Sequence, residues 1–512
     1  MLSLNRITIK PLFEASCWIA LFTVFVCPSQ AAQESQQVNK LPSVSSTHYQ
    51  AGQTTISEGR TSVDFYHRPT GTALNDKASL LLSDKVVPYP ATTVERPRPL
   101  LELGDPFLGN GTIQPGVKTP TSQMLQPWFL IFGTFRSAVQ SYDNGDRNTV
   151  EWANRLDLNG NLNLSGTERV FFYMRPLDGQ AGGYSGYNFE PNNTDGWQDD
   201  FNARLTKLYF EGELGEIFPG LDPTDSHAYD VGFSIGRQRL QLQDGMLMND
   251  IVDMIGITRN SLVFDGISNL RITGLYGWNN VNRGNNALVN NNHEHSVNLF
   301  GFEAEADTAL NNTLSLDLLY VDDDHDKNAW YVGAASTQRF SWLNSTFRIN
   351  ASIPEGNGSQ TVGSGVLLLS QLSNTLSSTD NIVYFNTFLD IDRFTSAARS
   401  PDQGSPVANL GILYAPIGMG RYGMPLGRPI DDTIGTAIGY QMFLDGIDSQ
   451  LIFEIGGRTS TQSNRDESGI GVGARYQHTF GTHHVLRLDS FVAGQENQDI
   501  AYGLRTEWMV KF

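Results

Sequence analysis

The last stretch of the chain, Ala501 to Phe512, constrains the fold most. Tyr502, Leu504, Trp508, Val510 and Phe512 fall on one parity, and Arg505, Glu507 and Lys511 on the other. That is the period of a strand with one apolar and one polar face. The same alternation recurs from Trp128 onward. Leu314, Leu316, Leu318 and Tyr320 oppose Ser315 and Asp317; Phe453 and Ile455 oppose Glu454; Val472, Ala474 and Tyr476 oppose Gly473, Arg475 and Gln477. No run reaches the 18 or more apolar residues that a spanning helix needs. A mean hydropathy of −0.28 fits a soluble β protein, and it equally fits a membrane barrel whose strands never build a long apolar run. Parity alone does not separate the two. In a soluble sandwich the apolar face is the core, whereas in a transmembrane barrel it faces lipid and the charged face lines a wet lumen.

The termini break the tie. Arg6 and Lys10 precede an apolar run from Ala15 to Val26, and Ser29-Gln30-Ala31 offers small residues where a signal peptidase cuts. Residues 1–31 therefore read as a secretory signal peptide. Cys27 as a lipid-attachment site fits poorly beside bulky Val26 and Pro28. Cys17 and Cys27 are the only cysteines, so the processed chain would carry no thiol, disulfide or cysteine-based metal site. The C-terminal strand with its terminal aromatic resembles the closing strand of bacterial outer-membrane β-barrels. That resemblance implies recognition by the barrel assembly machinery and residence in the outer membrane, with lipid around the apolar face.

Residues 32–125 are polar and Pro-interrupted, as in Arg96-Pro97-Arg98-Pro99, with apolar islands at Leu80 to Leu82 and Leu100 to Leu103. They read as a periplasmic arm or a partial plug, with a disordered linker as the equal alternative. Residues 126–512 read as the barrel. Its segments of about ten residues number roughly 17 to 19, and even strand counts are the rule, so about 18 antiparallel strands are expected, closed by the strand ending at Phe512. Long outer loops are expected at Asn279 to His295, Ala397 to Pro406 and Pro416 to Asp432.

The sharpest local motif is Gly236-Arg237-Gln238-Arg239-Leu240, followed by Asp244-Gly245 and Asn249-Asp250. It resembles the alginate export family of outer-membrane channels. The match covers this stretch well and the rest only as pattern. The resemblance implies an aqueous channel whose lumenal arginines meet an anionic polyuronate. By strict parity Arg237 shares a face with Phe233 and Ile235, so the expectation of a lumenal Arg237 requires a bulge at Gly236. The other candidates for the pore lining and for ligand contact are Arg155, Arg169, Arg175, Arg239, Arg271, Arg348, Arg458 and Arg475. An arginine fork binds carboxylates bidentately. Acids such as Asp157, Glu211, Glu303, Asp317, Glu454, Asp489 and Glu507 share those polar faces, so pairing within the wall is the expected role for most of these charges.

Other functions find less support. The formal charge of −19 comes with no basic patch, which argues against nucleic acid. Asp322 to Asp326 lacks the glycine and distal glutamate of an EF-hand loop, so no metal site and no cofactor is expected. His478, His483 and His484 are accompanied by no nucleophile elbow and no His-Glu-x-x-His helix. The sequence thus reads as a passive, porin-like channel for hydrophilic solutes, with an anionic saccharide as the candidate ligand and no enzymatic step. The alternative is a structural or surface-interaction barrel with a closed lumen.

Overall fold

A computed structural model describes residues 98–104 and 116–512, apart from 146–147, 179–182, 190–195, 225, 284–292, 295–296, 325–327, 357, 359–360, 378, 446–447 and 463–467. The expected signal peptide with Cys17 and Cys27, and most of the expected arm, lie outside these residues.

Eighteen antiparallel strands form one closed ring. They are β1 Trp128–Asp143, β2 Asn148–Asn163, β3 Arg169–Met174, β4 Leu205–Glu213, β5 Val231–Leu242, β6 Met248–Phe264, β7 Ile267–Asn279, β8 Asn298–Thr308 and β9 Asn312–Asp322, followed by β10 Ala329–Phe340, β11 Leu343–Pro354, β12 Gly365–Thr375, β13 Ile382–Asp392, β14 Thr433–Leu444, β15 Ser449–Ser460, β16 Gly469–Phe480, β17 His484–Gln495 and β18 Ala501–Lys511. Each pairs with its neighbour in sequence, and β18 pairs with β1 from Tyr502 opposite Asp143 to Lys511 opposite Thr134. Closure leaves no open sheet edge along the ring, which is the condition for a sheet to cross a bilayer.

The apolar parity points outward. Val139, Phe302, Leu316, Ile349, Phe453, Val472 and Leu504 are exposed, whereas Asp317, Glu454, Arg458, Asp489, Arg505 and Glu507 are buried inside the ring. This inversion excludes the soluble alternative. Aromatic clusters mark both borders of the apolar belt. Tyr276 and Phe300 (ring centroids 5.2 Å apart) and Tyr320 and Trp330 (4.7 Å) lie at one end. Phe480 and Trp508 (5.5 Å) lie at the other, with His478 and His484 packed against them. Two of the three C-terminal histidines thus belong to an aromatic girdle, and His483 hydrogen-bonds the adjacent Thr482.

Connections alternate in length. The end that carries Phe512 has mostly tight turns, such as 265–266 and 341–342, and the opposite end has the long connections 175–204, 280–297 and 393–432. In bacterial barrels the short turns face the periplasm. The expected outer loops at Ala397 to Pro406 and Pro416 to Asp432 are two parts of the single connection 393–432. It does not stand out into solvent. It turns into the barrel, and Phe394, Ala397, Val407, Leu410, Leu413 and Tyr414 are fully buried. The tip of the β5–β6 hairpin also bends inward, burying Met246, Leu247 and Met248. Asn249 on this hairpin forms a parallel bridge with Arg399 of the long connection.

The expected bulge at Gly236 is absent. The register runs unbroken on both sides, with Gly236 opposite Tyr209 and Met254, and Arg237 opposite Leu208 and Asp253. Arg237 therefore keeps the outward parity of Ile235 and bonds Asp253 at 2.7 Å; Arg239 shares that parity but lies past the last β4 rung at Arg237, and its side chain turns to Asn249 and Gln403. Gly236 is needed for another reason. Its φ is +128°, and a Cβ there would lie 2.4 Å from the Leu208 carbonyl oxygen. Gly236→Val should destabilise the barrel by roughly 1–3 kcal/mol, the usual cost of such backbone strain. The check is the temperature at which the folded band disappears on unheated-versus-heated gels, and an unchanged temperature would refute the steric argument.

Candidate functional site

An 18-stranded ring is too wide for wall side chains to fill. The two inward segments occupy the space, and charged wall residues hold them. Glu454 on β15 accepts hydrogen bonds from the backbone N–H of Ile412 and of Leu413, each at 2.8 Å, and from the Tyr384 hydroxyl. Arg458, four residues on, donates to the carbonyls of Leu426 (3.3 Å), Arg428 (3.0 Å) and Pro429 (2.6 Å). Across the lumen, Glu151 on β2 accepts from the Arg421 N–H at 2.6 Å. Arg155 on the same strand donates to the Gly418 carbonyl at 2.6 Å and to Asp157 at 2.9 Å. The buried connection thus finds partners for its backbone groups on the wall instead of in a ladder. Carboxylates meet its donors and guanidinium groups meet its acceptors. We refer to residues 409–432 as the strap.

The hairpin tip is held by the same means. Gln243 donates to Asp317 at 2.7 Å and Ser315 at 3.0 Å. Arg348 reaches Gln243 at 3.3 Å and pairs with Asp244. Arg399, in the long connection, donates to the carbonyl of Gly245, and burial pushes its guanidinium down to about 9. Arg283 bonds Asp323 at 3.0 Å, Tyr331 at 3.0 Å and the Ala397 carbonyl at 2.8 Å. Asp323 of the acidic run is therefore engaged by an arginine, while His325 and Asp326 lie outside the described residues. No cluster among the described residues has the geometry to hold a metal.

Arg175, just past β3, pairs with Asp178 and with Asp402 of the long connection at 2.7 Å. Burial alone would raise the Asp402 carboxyl, but Arg175 beside it holds it below the usual range. Arg239 donates to Asn249 at 3.1 and 2.6 Å and to Gln403, both neutral amides; among the described residues no carboxylate pairs with it. Arg475 pairs with Asp489 at 2.5 Å, within a buried network in which Arg505 meets Asp489 at 2.7 Å and Arg136 meets Glu507 at 2.8 Å. Arg169 pairs with Glu211, and Arg271 with Glu303 (3.1 Å) and Glu305 (3.4 Å); both arginines are 41% exposed. Of the nine arginines singled out from sequence, Arg155, Arg175, Arg239, Arg348 and Arg458 thus hold the inward segments. Arg475 belongs to the wall network, Arg169 and Arg271 pair across the wall, and Arg237 faces outward.

Sequence reasoning missed the anchoring role of Glu151 and Glu454, and it missed Arg136 and Gln140. Glu454 had a usable signal: a buried-parity acid four residues before a buried-parity arginine on the same strand.

Beside these anchors an open polar cavity of about 510 Å³ remains, lined by β4–β8. Its lining includes Glu211, Glu213, Gln238, Arg239, Arg271 and Glu303, with Ser234, Thr258 and Thr273 between them. Both charge signs and several hydroxyls face one space, an arrangement suited to a hydrated, polar solute.

No protein-family model and no curated protein matches the sequence. Solved structures do match in shape. Pseudomonas aeruginosa OccK9 (OpdG) superposes with a TM-score of 0.52 at 11% identity over 75% of this chain and 98% of that one. OccK11 (OpdR) of the same organism gives 0.51 at 12% over 75% and 96%. OpdK of that organism, solved with vanillate, gives 0.50 at 12% over 75% and 98%. OpdK is described as an outer-membrane protein. The barrel fold is therefore shared with these proteins, and they do not single out the alginate export family.

Replacing both Glu454 and Arg458 by Ala should free the strap, since each leaves buried backbone groups unpaired at about 1–3 kcal/mol apiece. Trypsin should then cut after Arg421 in the intact barrel, where the wild type resists. Equal resistance in both proteins would show that these residues do not hold the strap.

Proposed function

We propose that the protein is a passive outer-membrane channel for small hydrophilic solutes, with a preference for those carrying a carboxylate. The observation that carries this reading is the polar cavity left beside the anchored segments. At about 510 Å³ it falls within the span of about 300–1,000 Å³ typical of sites for a single small molecule. Arg239 lines it and, among the described residues, bonds only neutral amides, which makes it the best-placed group for an anionic substituent. The hydroxyl and carboxylate lining suits the solute's remaining hydroxyl groups. The anionic saccharide implied by the sequence resemblance is thereby narrowed to a unit of one or two sugars, since a polymer needs a wider continuous bore. The vanillate held by OpdK is likewise a small solute. Passage requires binding weak enough to release, and no covalent step is involved.

A second reading is a barrel with a closed lumen. It rests on the apolar core that the inward segments build there, with Met246, Leu247, Met248, Phe394 and Leu410 fully buried.

Single-molecule conductance in planar bilayers separates the two. The channel reading expects steady conductance that monomeric uronate reduces, long uronate oligomers leave unchanged, and Arg239→Ala shifts toward cation selectivity by several millivolts of zero-current potential. Silence in the wild type, relieved only when Glu454 and Arg458 are both replaced by Ala, would establish the closed barrel instead.

A further inference from the structure

β1 outruns its closing partner. β18 covers β1 only from Asp143 to Thr134, and the last rung joins Phe512 and Gly133, whose N–H and C=O groups bond reciprocally at 2.8 and 3.1 Å. Below Gly133 β1 continues to Trp128, still paired with β2 on its other edge. Its seam edge there would present bare backbone groups at the membrane border. Residues from before the barrel fill that edge. Leu101 pairs with Ile131, Glu102 with Leu130 and Leu103 with Phe129, all antiparallel.

We propose that Leu101–Leu103 is a clasp strand. It completes the barrel seam where β18 falls short, and its leucines join the lipid-facing belt at the periplasmic leaflet. Several observations converge on this. The segment obeys the wall's own alternation: Leu101 and Leu103 stand opposite Ile131 and Phe129, on the outward parity of exposed Val139, and both leucines are exposed. The Trp128 indole N–H donates to Glu102 at 3.2 Å, fixing the register from the side chains. Gly104 then turns the chain with φ +88°, where a Cβ would lie 2.5 Å from the Pro127 carbonyl oxygen. The return path is fastened as well. Gln123 donates to Glu168 at 2.5 Å, and the Gln126 N–H donates to the Leu164 carbonyl at 2.8 Å, at the β2–β3 turn. The chain leading into β1 is thereby gripped on both sides of β1, and the apolar island at Leu100 to Leu103 gains a role that the channel itself does not require.

The test uses the full chain in outer membranes, with Cys17 and Cys27 replaced by Ser. Glu102→Cys with Leu130→Cys places two thiols directly opposite, at a spacing a disulfide spans. Mild oxidation should cross-link this pair and leave Glu102→Cys with Phe132→Cys uncrosslinked. The oxidised in-register protein should lose its folded gel band at a higher temperature than the same protein reduced, and conductance should be the same in both states. Leu101→Asp with Leu103→Asp should lower that temperature; if this variant fails to reach the membrane, the oxidised-versus-reduced comparison stands alone. Failure of the in-register pair to cross-link, or cross-linking that leaves the unfolding temperature unchanged, would overturn the clasp.

Discussion

Everything in this molecule follows from the requirement that a sheet in lipid leave no backbone group unpaired. That requirement closes eighteen strands on themselves, from Tyr502 opposite Asp143 to Lys511 opposite Thr134. Closure at this strand number fixes a bore that side chains alone do not fill. What enters the bore must bring its own backbone, and that backbone meets the same requirement inside the ring. Most of the architecture of the lumen is an answer to this second demand.

The answer is charge. In a soluble core, a buried arginine or glutamate is costly unless it is fully hydrogen-bonded. Here Glu151 and Glu454 receive strap N–H groups, while Arg155 and Arg458 give to strap carbonyls, so ion and backbone satisfy each other. The mixed signs along the strands thus have a structural cause, and the formal charge of −19 says little about the lumen. Wall residues not engaged with the inward segments pair among themselves, as Arg475, Arg505, Asp489 and Glu507 do. Arg239 stands apart, since its partners are amides.

The strands were legible because period 2 is local: Leu314, Leu316 and Leu318 announce their common face within five residues. The inversion of that face was legible only from the two ends of the chain, since parity is the same in a soluble sandwich. The strap was not legible. Its anchors join residues far apart in sequence, as when Glu151 meets Arg421, and no periodicity links a wall strand to an irregular connection. Two segments read as separate outer loops are therefore one buried element. Arg237 misled for a different reason. Parity placed it outward correctly, and the resemblance to a channel motif argued it inward; the unbroken register through Gly236 sides with parity. Local geometry outweighed motif analogy because a bulge would have to disrupt ladders with two neighbours at once.

The positions of the anchors also divide the lumen. The strap is fixed to β15 and β2, and the hairpin tip reaches Asp317 on β9 and Arg348 on β11. The open polar cavity lies against the arc formed by β4–β8, where Arg239 on β5 and Asp250 on β6 tie the hairpin to Gln403 and Ser400 of the long connection. The path of the proposed channel would therefore be eccentric, bounded by a wall of hydroxyls and paired charges on one side and by the inward segments on the other. Arg239 sits where the two meet, since it lines the cavity and bonds Gln403 of the long connection. A substitution there alters the charge a solute meets and the fastening of the long connection together. The shift in ion selectivity expected of Arg239→Ala must accordingly be read beside a change in conductance: selectivity reports the lost charge, and conductance reports any slackening of the connection.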